Sequence, residues 1–217
     1  MQTLLQKTRS ISHLFQKASG GAARFQEAAR LLGESVCANV LVLDRAGGVV
    51  ATSAGSDPDC EVLTKDILGN LKVPFEFINR LLLMEETVHN ALQDGERCVF
   101  SSAKRCTFPG RVTTIIPVVG GGERLGTVVL SRRGAPFGEE DLILGEYVAT
   151  VMAMDMLHSA SLEADEESRK KAAVEVALEA LSYSEMEAIR HVFDELGGSE
   201  GFLVTSRIAD RVGITRS

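Results

Sequence analysis

The chain has 217 residues, 45% of them hydrophobic and 24% charged, with a formal net charge of −7. That balance excludes wholesale disorder, and the absence of Trp argues against a single-strand nucleic-acid platform built on aromatic stacking. The acidic average also means that any DNA-facing basic surface must be local or lie past Ser217.

Lys7, Arg9, His13 and Lys17 interrupt every apolar stretch at the start, so no signal-peptide core forms there. Nowhere do about 18 apolar residues run together, as a membrane span requires. Cys37, Cys60, Cys98 and Cys106 are scattered and form no C-x-x-C pair, which fits reduced thiols rather than a disulfide framework or zinc ligands. The expectation is a cytoplasmic protein without a membrane partner.

Residues 3–18 place Leu4, Leu5, Thr8, Ile11, Leu14, Phe15 and Ala18 at three- and four-residue spacing, one apolar face of a helix. Gly20 and Gly21 end it, and a second helix is expected over 25–32, closed by Gly33. Two apolar strands flank a turn at 44–48, a hairpin signal. Residues 56–95 read as mixed and mostly helical with breaks at Pro58 and Pro74, and 98–100 as a short strand candidate. The β-branched runs 111–119 and 125–131 flank a glycine loop and predict adjacent antiparallel strands. Helices outside a run of strands give an α+β fold class, a sensor domain of the GAF or PAS kind with an antiparallel sheet.

From Gly138 the pattern turns helical. Glu139, Glu140 and Asp141 suit a first turn, where negative charge complements the helix dipole. Leu142, Leu144, Tyr147, Val148, Val151, Met152 and Met156 continue a stripe that Val174, Leu178 and Leu181 resume, which predicts a long linking helix with a candidate break near 158–162. Ser182 and Glu185 have capping-box spacing ahead of another helix that ends at Gly197-Gly198.

The segment Thr205-Ser-Arg-Ile-Ala-Asp-Arg-Val-Gly-Ile-Thr-Arg-Ser217 carries the strongest recognition signal. Ala209 is small where a second helix must cross, and Gly213 falls where the tight turn needs positive φ. Thr215 can cap a helix beginning at Arg216 and Ser217. This is the front of a helix-turn-helix, with Thr205, Ser206, Arg207, Thr215, Arg216 and Ser217 as DNA-contact candidates; an ordinary helical hairpin is the plainer reading. No catalytic residues are expected. His13, His89, His158 and His191 are far apart, and no hydrolase or metal motif occurs. The loop 120–127 lacks a phosphate-loop lysine and leads into a strand, so a hairpin turn is its simplest account. A nucleotide-binding or hydrolysing protein using that loop, with a contact through Arg124, is the alternative reading; a sensor with protein partners only is another.

Several blocks carry a resemblance. Ile115-Ile-Pro-Val-Val-Gly-Gly-Gly-Glu-Arg-Leu-Gly-Thr127, Asp141-Leu-Ile-Leu-Gly-Glu-Tyr147, Leu181-Ser-Tyr-Ser-Glu185 and 208–217, with Leu4-Leu-Gln-Lys-Thr-Arg9, resemble the CodY family of nutritional repressors. The resemblance implies a GAF-type sensor of branched-chain amino acids, isoleucine, leucine or valine, with GTP as a second effector. It also implies a linking helix, a winged helix-turn-helix on double-stranded DNA, and a homodimer that represses nutrient-related genes. The matching ligand positions are Thr64, Ile67, Val73, Pro74, Phe77 and Phe100; the family's carboxylate-binding arginine falls on Leu63, with Arg97 or Lys65 as substitutes, and its later Pro-Val on Ser101 and Ser102. The expected division is 1–137 for the effector domain, 138–180 for the linker helix, and 181–217 for the first part of the DNA-binding domain, its recognition helix and wing lying past Ser217. That ending leads to an expectation of weak or no operator binding by these 217 residues.

Overall fold

The structure, a computed structural model, describes residues 3–16, 21–55, 64–65, 70–92, 98–100, 105 and 110–196. The chain divides into two compact units, Met1–Ala160 and Ser161–Ser217. The first begins with helices α1 (Leu4–Gln16) and α2 (Gly21–Val36) and the strand pair β1 (Asn39–Asp44) and β2 (Val49–Ser53). A two-residue ribbon, β3 (Thr64–Lys65) and β4 (Leu71–Lys72), leads to helix α3 (Phe75–Leu82) and strand β5 (Val88–Leu92). The long pair β6 (Arg111–Gly120) and β7 (Glu123–Arg133) follows, and then helix α4 (Glu139–Glu179).

Five strands form one sheet in the order β2-β1-β7-β6-β5. Every neighbouring pair is antiparallel, and β1 takes the inside of the sheet by pairing with β7, from Asn39 opposite Ser131 to Asp44 opposite Gly126. Because successive side chains on a strand point to opposite faces, the β-branched runs divide into two sets. Val40, Val42, Val112, Ile116, Val118, Val128 and Leu130 face one core, shared with α1, α2 and α4. Leu43, Ile115 and Val129 face a second core, shared with α3. The result is a sheet with three helices on one side and α3 on the other. Burying a single Leu or Ile here contributes about 1.5–3 kcal/mol.

Two polar ties hold α4 against the N-terminal helices: Arg24 Nη1 meets Asp155 Oδ1 at 3.2 Å, and the hydroxyls of Ser12 and Tyr147 lie 2.6 Å apart. Gly145 lets α4 approach the sheet, since a Cβ there would stand 2.6 Å from Ile116 Cδ1.

Several local expectations change. Gly33 does not close α2 but lies inside it, where a Cβ would press at 3.0 Å on the Ala38 carbonyl; the helix runs on to Val36 and stops at Cys37, whose φ is 50°. On α1, Ile11 is buried and Leu4, Leu14 and Phe15 pack beside it, but Leu5 is 57% exposed because the face meeting α2 and α4 is narrower than the apolar stripe. Residues 88–92 form an edge strand rather than a helix, since pairing with β6 outweighs local propensity. Val99 and Phe100 lie in a turn, not a strand. Helix α4 runs unbroken through 158–162, as no Gly or Pro from 146 to 179 interrupts its hydrogen bonds.

In the second unit, the tail of α4 carries exposed charge, with Lys170 Nζ 2.6 Å from Glu166 Oε1 one turn away. Helix α5 (Tyr183–Leu196) opens with the expected capping box: Glu185 Oε2 accepts from Ser182 N–H at 2.8 Å, and Ser182 Oγ accepts from Glu185 N–H at 3.4 Å. The expected helix at 204–212 lies outside the described residues.

Candidate effector site

Helix α3 is positioned by its first residues. Pro74 sits at the N-cap with φ −56° and ψ 145°, so its ring sets the entry angle, and its carbonyl accepts from Phe77 and Ile78 N–H. Val73, one residue earlier, is tied by its N–H to the Gly47 carbonyl at 2.9 Å in the β1–β2 turn. That turn is closed by Asp44, whose Oδ1 accepts from Ala46 and Gly48 N–H, both at 2.8 Å. These bonds fix α3 over the sheet and turn Phe77, Ile78 and Leu81 inward.

The outcome is a single apolar cluster of Leu43, Val73, Phe77, Ile78, Leu81, Cys98, Phe100, Ile115 and Val129. Of the sequence-predicted ligand residues, the fold brings Val73, Phe77 and Phe100 together there and puts Pro74 at the head of α3. Thr64 lies on the ribbon opposite Lys72, next to Val73 in sequence. Ile67, Arg97, Leu63, Ser101 and Ser102 lie outside the described residues, as do Thr205, Ser206, Arg207, Thr215, Arg216 and Ser217. Leu43, Ile115 and Val129 were missed in the sequence. Their positions on the strands carry the signal, but only the crossing of β1 to β7 says which face α3 covers.

Two arginines organise this region. Arg80, on the turn of α3 after Phe77, donates through Nε to the Val99 carbonyl at 3.0 Å and so anchors the turn that presents Cys98 and Phe100. Arg124 holds the other end of α3. Its Nη1 donates to the Met84 carbonyl at 2.6 Å, its Nη2 to the Leu81 carbonyl at 3.2 Å and Thr127 Oγ1 at 2.9 Å, and its Nε to the Gly126 carbonyl at 2.5 Å. Burial pushes this guanidinium below its ordinary pKa. The alternative reading of Arg124 as a nucleotide contact therefore gives way: its fork is committed to protein oxygens. The glycine loop is a two-residue hairpin turn, with Gly121 and Gly122 at φ 60° and 82°.

The chain also has a polar cavity of about 350 Å³ where α2 ends beside β1, β2, β6 and β7. Its lining residues are already bonded: Asn39 Oδ1 accepts from Gly55 N–H and Arg111 Nη2 donates to Ser131 Oγ at 3.1 Å, both within the lining, while Arg132 Nη1 donates to the Val36 carbonyl behind it at 2.6 Å. Among the described residues no group of His, Cys, Asp and Glu has the arrangement to hold a metal ion, and no helix is long and apolar enough to cross a membrane.

Comparison with known proteins matches this architecture. A family model described as the CodY GAF-like domain covers residues 3–180. The global transcriptional regulators CodY of Clostridium beijerinckii and Shouchella clausii are 43% and 44% identical to the chain, which spans 84% and 82% of their lengths. Among solved structures, the cofactor-binding GAF domain of the nutrient sensor CodY from Clostridium difficile is 31% identical over 72% of this chain and 99% of its own, with a TM-score of 0.56. The GAF domain of a Coxiella burnetii phosphoenolpyruvate-protein phosphotransferase, 16% identical with a TM-score of 0.52 over 74% of this chain and 96% of its own, shares the fold alone. A two-faced antiparallel sheet with α3 closing an apolar cluster, joined to likeness along the whole sequence, leaves one conclusion: the chain belongs to the CodY family of global transcriptional regulators, with a GAF domain as its sensor.

Proposed function

We propose that this regulator senses a branched-chain amino acid, isoleucine, leucine or valine, with its alkyl group packed on the cluster of Val73, Phe77 and Phe100 and with Thr64, Ile67, Pro74 and Arg97 completing the site. The observation that carries this reading is the meeting of those three residues with Leu43, Ile115 and Val129 on the sheet face that α1, α2 and α4 leave to α3. A short branched alkyl group suits such a surface, where each buried methylene is worth about 0.8 kcal/mol. The Clostridium difficile relative, a cofactor-binding GAF domain of a nutrient sensor, supports a small-molecule effector in this domain.

In this reading GTP is a second effector and the protein is a cytoplasmic homodimer that represses nutrient-related genes through double-stranded DNA contacts in 205–217. Residues 1–137 form the effector domain, 138–180 the linker helix and 181–217 part of the DNA-binding domain. The exposed Ile143, Thr150 and Leu157 of α4 stand seven residues apart, with Met154 three before Leu157, which is the spacing of a two-helix seam and supports the dimer. The effector acts by binding the DNA-competent arrangement better than the other.

Calorimetric titration of the chain with isoleucine, leucine, valine and GTP tests the proposal. Saturable binding of at least one branched-chain amino acid, with no GDP produced from GTP, is expected. If none of the three binds, the effector assignment is wrong.

A further inference from the structure

Three partly buried arginines, Arg80 and Arg124 beside the apolar cluster and Arg132 at the start of α4, differ in one respect. Arg124 makes four hydrogen bonds to protein oxygens. Arg132 makes four as well, to the carbonyls of Ala135, Val36 and Pro136 and to Asp141 Oδ2. Arg80 donates only through Nε, to the Val99 carbonyl, and its Nη1 and Nη2 groups meet no acceptor among the described residues. A guanidinium carries five N–H donors in a rigid fork suited to planar anions. Here one edge of the fork is held in place by the protein and the outer edge is left over.

The location gives that edge a use. Arg80 stands three residues after Phe77, on neighbouring positions of one helix face. Its anchor, Val99, lies between Cys98 and Phe100, both buried in the cluster, and Val99 itself packs against it. The fork thus sits at the rim of an apolar surface, at the point where α3 and the 98–100 turn meet. A ligand filling both features needs a short apolar body and an anionic head.

We infer that Arg80 recognises the carboxylate of the effector, its Nε fixed by the Val99 carbonyl and its Nη groups donating to the ligand's oxygens. This rests on the branched-chain amino acid reading above and adds what selects the acid. It also ties ligand binding to the 98–100 turn, because the residue that meets the head group is the one that holds Val99. Arg80 contributes specificity for the charged head, while the cluster contributes the alkyl pocket.

The test is calorimetry on the full chain with isoleucine and with isoleucinol, in which a hydroxymethyl group replaces the carboxylate. The native chain is expected to prefer the acid, by roughly tenfold or more for a charge-assisted contact. Arg80→Gln keeps an N–H donor for Val99 but no charge. It is expected to unfold at the native temperature, to bind isoleucine roughly ten- to a hundredfold more weakly, and to treat acid and alcohol alike. If that variant proves unfolded, Arg80→Lys decides, with weaker binding of isoleucine and a retained preference for the acid expected. An Arg80→Gln protein with native affinity and native preference overturns the inference and leaves the effector reading standing. So does an Arg80→Lys protein with unchanged affinity, or a native chain that binds acid and alcohol equally. A native chain that binds no branched-chain amino acid overturns both.

Discussion

The side chain of Asn90 pairs with the backbone of Phe137 in both directions: Oδ1 accepts from Phe137 N–H at 2.7 Å, and Nδ2 donates to the Phe137 carbonyl at 3.0 Å. Asn90 sits at an irregularity in the β5–β6 pairing with φ 55°, a conformation Asn tolerates better than most residues. The irregularity turns its amide toward the segment between β7 and α4. Phe137 is buried beneath Arg132, whose guanidinium carbon lies 4.2 Å from the ring centroid. A side chain on β5 therefore fixes where the long helix starts.

Asn90→Ala should lose both bonds, leave buried backbone groups at Phe137 unpaired, and strain the backbone at positive φ. A loss of about 2–4 kcal/mol is expected. Asn90→Gly relieves the strain but not the missing bonds, so it should be milder by about 1 kcal/mol. Urea unfolding of the two variants reads the difference; equal stabilities would mean that the backbone at 90 is unstrained.

Arg124→Lys keeps the charge but cannot reproduce a fork that reaches four oxygens, so the end of α3 loses its carbonyl partners. Stability should fall by about 1–3 kcal/mol. Hydrogen exchange should show the loss concentrated in 75–84, and uniform exchange across the domain would contradict the assignment of Arg124 to α3.

Gly126 lies opposite Asp44 in the β1–β7 pairing, and a Cβ there would strike the Leu43 carbonyl oxygen. That neighbour is backbone inside a sheet and cannot rotate away. Gly126→Ala is expected to destabilise by about 1–3 kcal/mol through overpacking. A thermal midpoint within a degree of the native value would show that the strands separate without cost.

Glu185 is held below the ordinary carboxylate range by its hydrogen bonds from the Ser182 side chain and backbone. A carboxyl whose folded pKa is depressed stabilises the fold above its unfolded pKa, about 4.3, and loses that contribution as pH falls through the lower folded value. Protection of the first turn of α5 should therefore weaken below about pH 4 in the native chain. In Ser182→Ala the Glu185 carboxyl, followed by NMR, should titrate closer to its ordinary value. An unmoved Glu185 titration would argue against the capping box.

Much of this protein was written in local pattern. The β-branched runs in 111–119 and 125–131, the glycine loop between them, the capping box at Ser182 and Glu185, and the helical stripe from Leu142 to Met156 are each carried by residues close in sequence, and each forms where the sequence puts it. Tertiary structure alone decided which face of the sheet α3 covers, that 88–92 pairs as a strand, and that Gly33 serves close packing inside a helix rather than its end. It also decided that Arg124 caps α3 while Arg80 keeps donors in reserve. These choices depend on partners many residues away, and a polar group takes its role from the acceptor that the fold brings to it.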